Sequence, residues 1–283
     1  MHTPSPEIRK IQAIDVHAHY GPFVRLELPL NSRLVSQGPA KVVELARLAG
    51  TELTIASSSL ALTPRGQADA AAGNDDAMRE VTRTQGLAFW VVVHPLQPRT
   101  YDQARDMLQH PKCMGIKLHP EEHCYPITEH GRKLLGFAAE QQAVVLTHTG
   151  ESLSRPADFA VLADDFPELP LILAHLGNSQ VGELFWQVEA LQRSKSRGLY
   201  IDTSSMNSMI NGLIEWGVSQ VGAERLLYGT DSPLYFAPCQ RVRIDLADIT
   251  DQEKRLILRE NALRLFGAER IAAAIPAGEL VHR

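Results

Sequence analysis

The sequence predicts a single-domain α/β protein folded as an eight-stranded (β/α)8 TIM barrel, and three observations carry that prediction. Short, β-branched runs alternate with longer amphipathic segments about eight times along the 283 residues. The strand runs are continuously apolar, as in parallel strands covered on both faces. Polar residues recur at the carboxyl ends of those runs: His17, His94, His119, His148, His175, Asp202 and Asp231. A barrel gathers all these ends on one rim. An open doubly wound sheet would spread them over tens of ångströms, at about 4.8 Å per strand. No composition shift marks a second domain, so residues 1–283 are expected to form one unit.

The first strand is read at residues 11–17 (IQAIDVH), followed by a helix at 40–49 that Gly50 ends. Residues 53–56 form the second strand, and 75–85 the next helix, with Asn74 as N-cap and Gly86 as stop. The clearest buried strand is 87–94 (LAFWVVVH), then a helix at 101–109, a strand at 114–119 (MGIKLH) and a helix at 129–141. In the second half, strands are expected at 143–148, 171–175, 199–202 and 225–229, and helices at 157–165, 180–193 and 209–221. The last helix, 251–266, opens with a capping box, Thr250-x-x-Glu253, and closes at Gly267. Residues 20–39 carry no clear pattern and are expected to form a loop over the mouth of the site.

Composition excludes several function classes. The hydrophobic fraction of 44% and the net charge of -5, without basic blocks, point away from a nucleic-acid partner. No apolar run reaches the roughly 18 residues of a membrane span, and the polar residues 1–10 lack the apolar core of a signal peptide. A cytoplasmic protein is therefore expected. Cys113, Cys124 and Cys239 are odd in number and too far apart for a Cys-x-x-Cys motif, which fits reduced thiols.

Asp15-Val16-His17-Ala18-His19 is the central motif. Alternate side chains of a strand share a face, so His17 and His19 are expected to point together into the barrel with Asp15 one layer below. His-x-His alone is a weak signal. It gains weight from Thr147-His148-Thr149-Gly150, Ala174-His175-Leu176-Gly177 and Gly229-Thr230-Asp231-Ser232-Pro233, each a polar residue between an apolar run and a turn. Burying so many imidazoles without partners is costly, and one shared metal ion would serve several at once.

These segments resemble the amidohydrolase superfamily and, within it, the amidohydrolase-2 family, the branch that also holds aminocarboxymuconate-semialdehyde decarboxylase-like enzymes. The resemblance rests on DVHAH, GIKLHP at 115–120, VLTHTG at 145–150, AHLG at 174–177, YIDTS at 200–204, YGTDSP at 228–233 and ENALRLFG at 260–267. It implies that His17, His19, His148 and Asp231 bind one divalent metal per chain. Zinc suits that set, with manganese or another divalent ion as alternatives. It also implies that Asp231 accepts a proton from an activated water and that His175 orients the substrate. Three nitrogens and one carboxylate leave a coordination position open, as in catalytic rather than structural zinc sites. Bound water would then ionise near pH 7.

Lys117 has two readings. In binuclear relatives a lysine on the fourth strand is carbamylated and bridges two metals; otherwise it pairs with a carboxylate such as Asp15 or Asp202. Lys117, His119, His94 and Arg155 are the weaker substrate-binding candidates, with a hydrogen-bonded scaffold role as the equal alternative for His119 and His94. Glu151 and Arg155 are expected chiefly in surface ion pairs, with lining of the pocket as the alternative, and Tyr125 and Tyr235 over the substrate. The expected reaction is hydrolysis of a small amide, lactone or other ester. The alternative is nonoxidative decarboxylation of an aromatic or unsaturated acid at the same ligands, in which relatives tend to have longer chains. A binding or scaffold role is disfavoured by the complete ligand set. The partner is a small-molecule substrate, in a chain that can form a homodimer.

Overall fold

The structure is a computed structural model that describes residues 6–275; residues 1–5 of the polar N-terminus and 276–283 lie outside the described residues. Eight strands form one parallel sheet in sequence order. They are β1 (Ala13–Tyr20), β2 (Thr51–Ser58), β3 (Leu87–Val92), β4 (Cys113–Leu118), β5 (Val145–Thr147), β6 (Leu171–Leu173), β7 (Leu199–Asp202) and β8 (Leu226–Leu227). The last strand returns to the first through single hydrogen bonds. Val16 N–H donates to Tyr228 C=O at 2.9 Å, Asp231 N–H to His17 C=O at 2.8 Å and His19 N–H to Ser232 C=O at 2.7 Å. The sheet is thus the barrel expected from the sequence.

Two apolar shells hold it. Ile14, Val16, Leu53, Ile55, Trp90, Met114, Leu146, Ile172 and Leu227, from strands around the whole sheet, form one buried cluster. Alternate strand residues such as Phe89, Val91, Leu118, Leu173 and Ile201 pack outward on helix residues such as Val81, Ala104, Leu134 and Phe159. Gly115 is required where β4 meets β5, because a Cβ there would come within 2.2 Å of the Val144 carbonyl oxygen. Strict alternation fails in β1, whose pairing with β2 shifts register between Asp15 and Ala18. Asp15 consequently lies at the β1–β8 seam, where it accepts hydrogen bonds from the Thr230 hydroxyl (2.6 Å) and N–H (3.1 Å).

Several boundaries differ from the sequence reading for identifiable reasons. The helix expected at 75–85 spans Ala70–Arg83 and is capped by Asp69, whose carboxylate accepts from Ala72 N–H. Asn74 is not its N-cap; buried inside it, Asn74 bonds both the N–H and the C=O of Val92. The helix expected at 209–221 is divided, since Gly212 has φ +86, outside helical geometry. Residues 20–39 include a short helix, Pro29–Val35, and a further helix, Ala237–Asp245, lies between β8 and the last helix. The Thr250–Glu253 capping box is present, and the helix beyond it continues to Phe266 through a wider π turn at Leu256–Glu260. All three cysteines are free. Among the described residues, no helix is long and apolar enough to cross a membrane.

Arg241 ties the amino-terminal end of the barrel together. Its buried guanidinium donates to the carbonyls of Ile8, Ile11, Ala49 and Gly50 and to the Asp245 carboxylate. Arg241→Ala strands those carbonyls and is expected to cost about 3 kcal/mol of stability. Urea unfolding measures that loss, and metal affinity at the opposite rim should be unchanged.

Candidate metal centre

The carboxyl ends of the strands bring the polar residues of the motifs into one buried group. Nitrogen atoms of His17 and His19 and a carboxylate oxygen of Asp231 all lie within 4.8 Å of one another, as do atoms of His17, His175 and Asp202. His19 Nε2 is 3.1 Å from Asp231 Oδ1, and His17 Nε2 is 3.7 Å from the same oxygen. Two of these residues carry left-handed backbones, His175 with φ +74 and Asp231 with φ +54. Such strain in a non-glycine residue persists only where the surroundings impose it, and it clusters at functional sites.

The tautomer of His17 follows from its neighbours. Lys117 Nζ stands 2.8 Å from His17 Nε2. An ammonium has only hydrogens to offer, so Nε2 accepts and Nδ1 carries the proton. Nδ1–H donates to Asp202 Oδ2 at 2.8 Å. A carboxylate behind an imidazole with its other lone pair turned to a cation is the arrangement that metal-binding histidines use. Here the cation facing that lone pair is the Lys117 ammonium. The donor set and its orientation therefore fit a divalent ion held by His17, His19 and Asp231.

His148, the fourth expected ligand, stands at one side of this group. Its Nδ1 is 3.0 Å from His175 Nε2 and its Nε2 is 2.8 Å from Glu151 Oε1. His119 stacks on it at 4.3 Å between ring centroids and 10° between planes. His175 Nδ1 meets the Ser204 hydroxyl at 2.8 Å, and that hydroxyl also reaches Asp202. Asp202 further accepts from the backbone N–H groups of His175 and Ser204.

Burial and charge set the protonation states. Burial, reinforced by the Lys117 cation, lowers His17 to about 4 and keeps it neutral. Burial also lowers Lys117 to about 8, against the pull of Asp231 and Asp202. Burial alone would raise Asp202 and Asp231, but the histidines around them hold both well below the usual carboxylate range. Asp15 differs: burial pushes it up to about 8 despite the hydrogen bonds from Thr230 and His17.

The group opens onto a cavity of about 210 Å³ lined by His19, His119, His148, His175 and Asp231 together with Phe23, Arg25, Arg65, Glu122, Glu151 and Tyr235. His119 and Tyr235 thus meet the cavity as expected. His94 does not: it is buried against His123 and Tyr125, and Leu96 N–H donates to its Nδ1. Tyr125 is likewise packed under the rim, not over the cavity. Arg155 is exposed at the start of the Pro156–Asp165 helix and is absent from the cavity wall. Lys117 bonds His17, not Asp15 or Asp202.

Some roles were not assigned from the sequence. Asp202 and Ser204 are two apart on one strand end, and that spacing was available as a signal. Glu151 follows His148 by three residues and bonds it, where a surface ion pair was expected. Arg25, Arg65 and Glu122 come from three separate loops and form one ion cluster on the cavity wall. No periodic signal could have joined them.

The profile of the family described as Amidohydrolase matches residues 14–268. No curated protein matches significantly by sequence. Among solved structures, 5-carboxyvanillate decarboxylase from Sphingomonas paucimobilis aligns with TM-score 0.70 and 13% identity, over 90% of this chain and 99% of that one. A dihydroxybenzoic acid decarboxylase from a Polaromonas strain, with bound manganese and 2-nitroresorcinol, aligns with TM-score 0.67 and 15% identity over 91% and 97%. A Pseudomonas putida protein assigned as a 2-pyrone-4,6-dicarboxylic acid hydrolase aligns with TM-score 0.64 and 18% identity over 95% and 99%. At these identities the likeness is one of fold.

The protonation states predict how the metal-free protein responds to acid. His17, His119, His123 and His175 are all lowered in the fold, chiefly by burial. The unfolded chain binds protons on these groups before the folded one does, so stability falls as pH drops below about 6.5. Unfolding at pH 5 should take up about four protons on them. Urea unfolding between pH 5 and 7 reads this slope. His123→Gln, away from the proposed ligands, should reduce it by about one proton; an unchanged slope would refute the assignment of His123.

Proposed function

The chain belongs to the amidohydrolase family, and from that premise we propose that it is a metal-dependent enzyme that hydrolyses a small amide, lactone or other ester. The observation that carries this reading is the orientation of His17. Asp202 fixes its proton on Nδ1, so its Nε2 lone pair faces the Lys117 ammonium at 2.8 Å, with the Asp231 carboxylate 3.7 Å away and a His19 nitrogen in the same group. We assign His17, His19, His148 and Asp231 as the ligands of one zinc or manganese ion per chain. Bound there, the ion would act as a Lewis acid on a substrate carbonyl and lower the pKa of water.

The residues supply the rest. Asp231 is ionised and faces the cavity, so one carboxylate oxygen can take a proton from an attacking water and return it to the leaving group. His175 is neutral and lines the same cavity, where a ring nitrogen can orient the substrate carbonyl. Phe23, Leu62 and Tyr235 provide apolar wall against a small flat substrate.

Decarboxylation of an aromatic acid is a second reading, favoured by Arg25 and Arg65 on the cavity wall and by the decarboxylases among the similar folds. The two are separated by offering the zinc- or manganese-loaded protein a panel of lactones, amides and hydroxybenzoic acids. Acid release without carbon dioxide supports hydrolysis; carbon dioxide release overturns it in favour of the second reading. Asp231→Asn should lower turnover by about 10³-fold with either chemistry. His175→Ala should lower turnover while metal content, read by elemental analysis, stays at the wild-type value.

A further inference from the structure

We propose that Glu151 is a positioning residue that fixes the tautomer and ring orientation of His148, and thereby turns the His148 Nδ1 lone pair into the centre. The inference rests on the reading of His148 as a metal ligand. His119 lies parallel to the His148 ring at 4.3 Å, which fixes the plane of that ring. A plane alone leaves two orientations, related by a half-turn about the Cβ–Cγ bond. The half-turn moves Nδ1 to the opposite edge. Only the orientation with Nε2 against Glu151 Oε1, at 2.8 Å, leaves Nδ1 3.0 Å from His175 Nε2 and facing the buried group.

The hydrogen bond also selects the tautomer. An ionised carboxylate can only accept, so Nε2 carries the proton and Nδ1 keeps its lone pair. Glu151 is in place to remain ionised, because its other oxygen lies 4.0 Å from Arg65 Nη2. Arg65 is in turn held by Glu122. The role matches that of Asp202 behind His17, with one difference. Asp202 is sealed at the end of β7, whereas about a third of the Glu151 side chain reaches solvent in the cavity wall. The loop after β5 therefore supplies both a ligand and the carboxylate that aims it, three residues apart. Carboxylates behind ligating histidines are worth about 10- to 100-fold in metal affinity.

The test uses the full chain, its metal-free form labelled with 15N-histidine, and the variants Glu151→Ala and Glu151→Gln. Two-bond 15N–1H correlations at pH 8 read the tautomer of His148, and competition with a chelator reads Zn2+ affinity. The wild type should show His148 protonated on Nε2 alone. Glu151→Ala should show mixed tautomers and bind Zn2+ about 10- to 100-fold more weakly. Glu151→Gln, whose amide oxygen still accepts, should restore the tautomer and most of the affinity, which a bulk structural role would not. A wild-type ring protonated on Nδ1, an unchanged tautomer in Glu151→Ala, or a Gln variant equal to Ala would overturn the proposal. Absence of Zn2+ and Mn2+ binding in the wild type would sink the metalloenzyme reading, and the tautomer measurement would still decide the role of Glu151.

Discussion

Closure of the sheet between β8 and β1 is the constraint on which the candidate centre depends. His17 and His19 come from the first strand and Asp231 follows the last, more than two hundred positions later. They meet because backbone hydrogen bonds join Val16 to Tyr228, His17 to Asp231 and His19 to Ser232. Asp15 reinforces the seam from a side chain, bonding both the N–H and the hydroxyl of Thr230 next to Asp231. An open sheet of the same strands would leave these residues on opposite edges, with no shared ligand position between them.

Within the closed rim, buried charge is arranged so that His17, His119 and His175 stay neutral while Asp202 and Asp231 stay ionised. Asp202 is the hub: it receives His17 Nδ1–H and two backbone N–H groups, and the Ser204 hydroxyl lies beside it. A carboxylate with that many donors can remain charged away from water. Its charge then keeps the His17 proton on Nδ1, so Nε2 faces Lys117 and Asp231 as a lone pair. The left-handed backbones of His175 and Asp231 belong to the same arrangement. Each follows a strand and lines the cavity.

Legibility in the sequence followed periodicity. Eight apolar runs with polar ends announced the barrel, and the DVHAH, THTG, AHLG and GTDSP segments announced which residues would reach the rim. Asn74 illustrates the opposite case. As a local signal it reads as a helix cap, but the tertiary structure buries it against Val92, because Asp69 serves as the cap one turn earlier. Gly212, a weak breaker by propensity, proved decisive once its φ was set positive by the fold. Arg155 and His94 lie close in sequence to rim positions, yet one points to solvent and the other packs beneath the rim.

The sequence by itself determined the strand and helix order, the family, and the histidines and aspartate that gather at the carboxyl ends of the strands. Those properties are local: an apolar run ends, and a polar residue stands where it ends. Only the tertiary structure decided which nitrogen of each histidine faces inward, which carboxylate stands behind it, and which loops wall the cavity. Asp202 behind His17, Glu151 behind His148 and the Arg25–Glu122–Arg65 cluster each join elements distant in the chain or set by loop geometry. Such pairings depend on where closure of the barrel places the loops, and no periodicity of the chain encodes that placement.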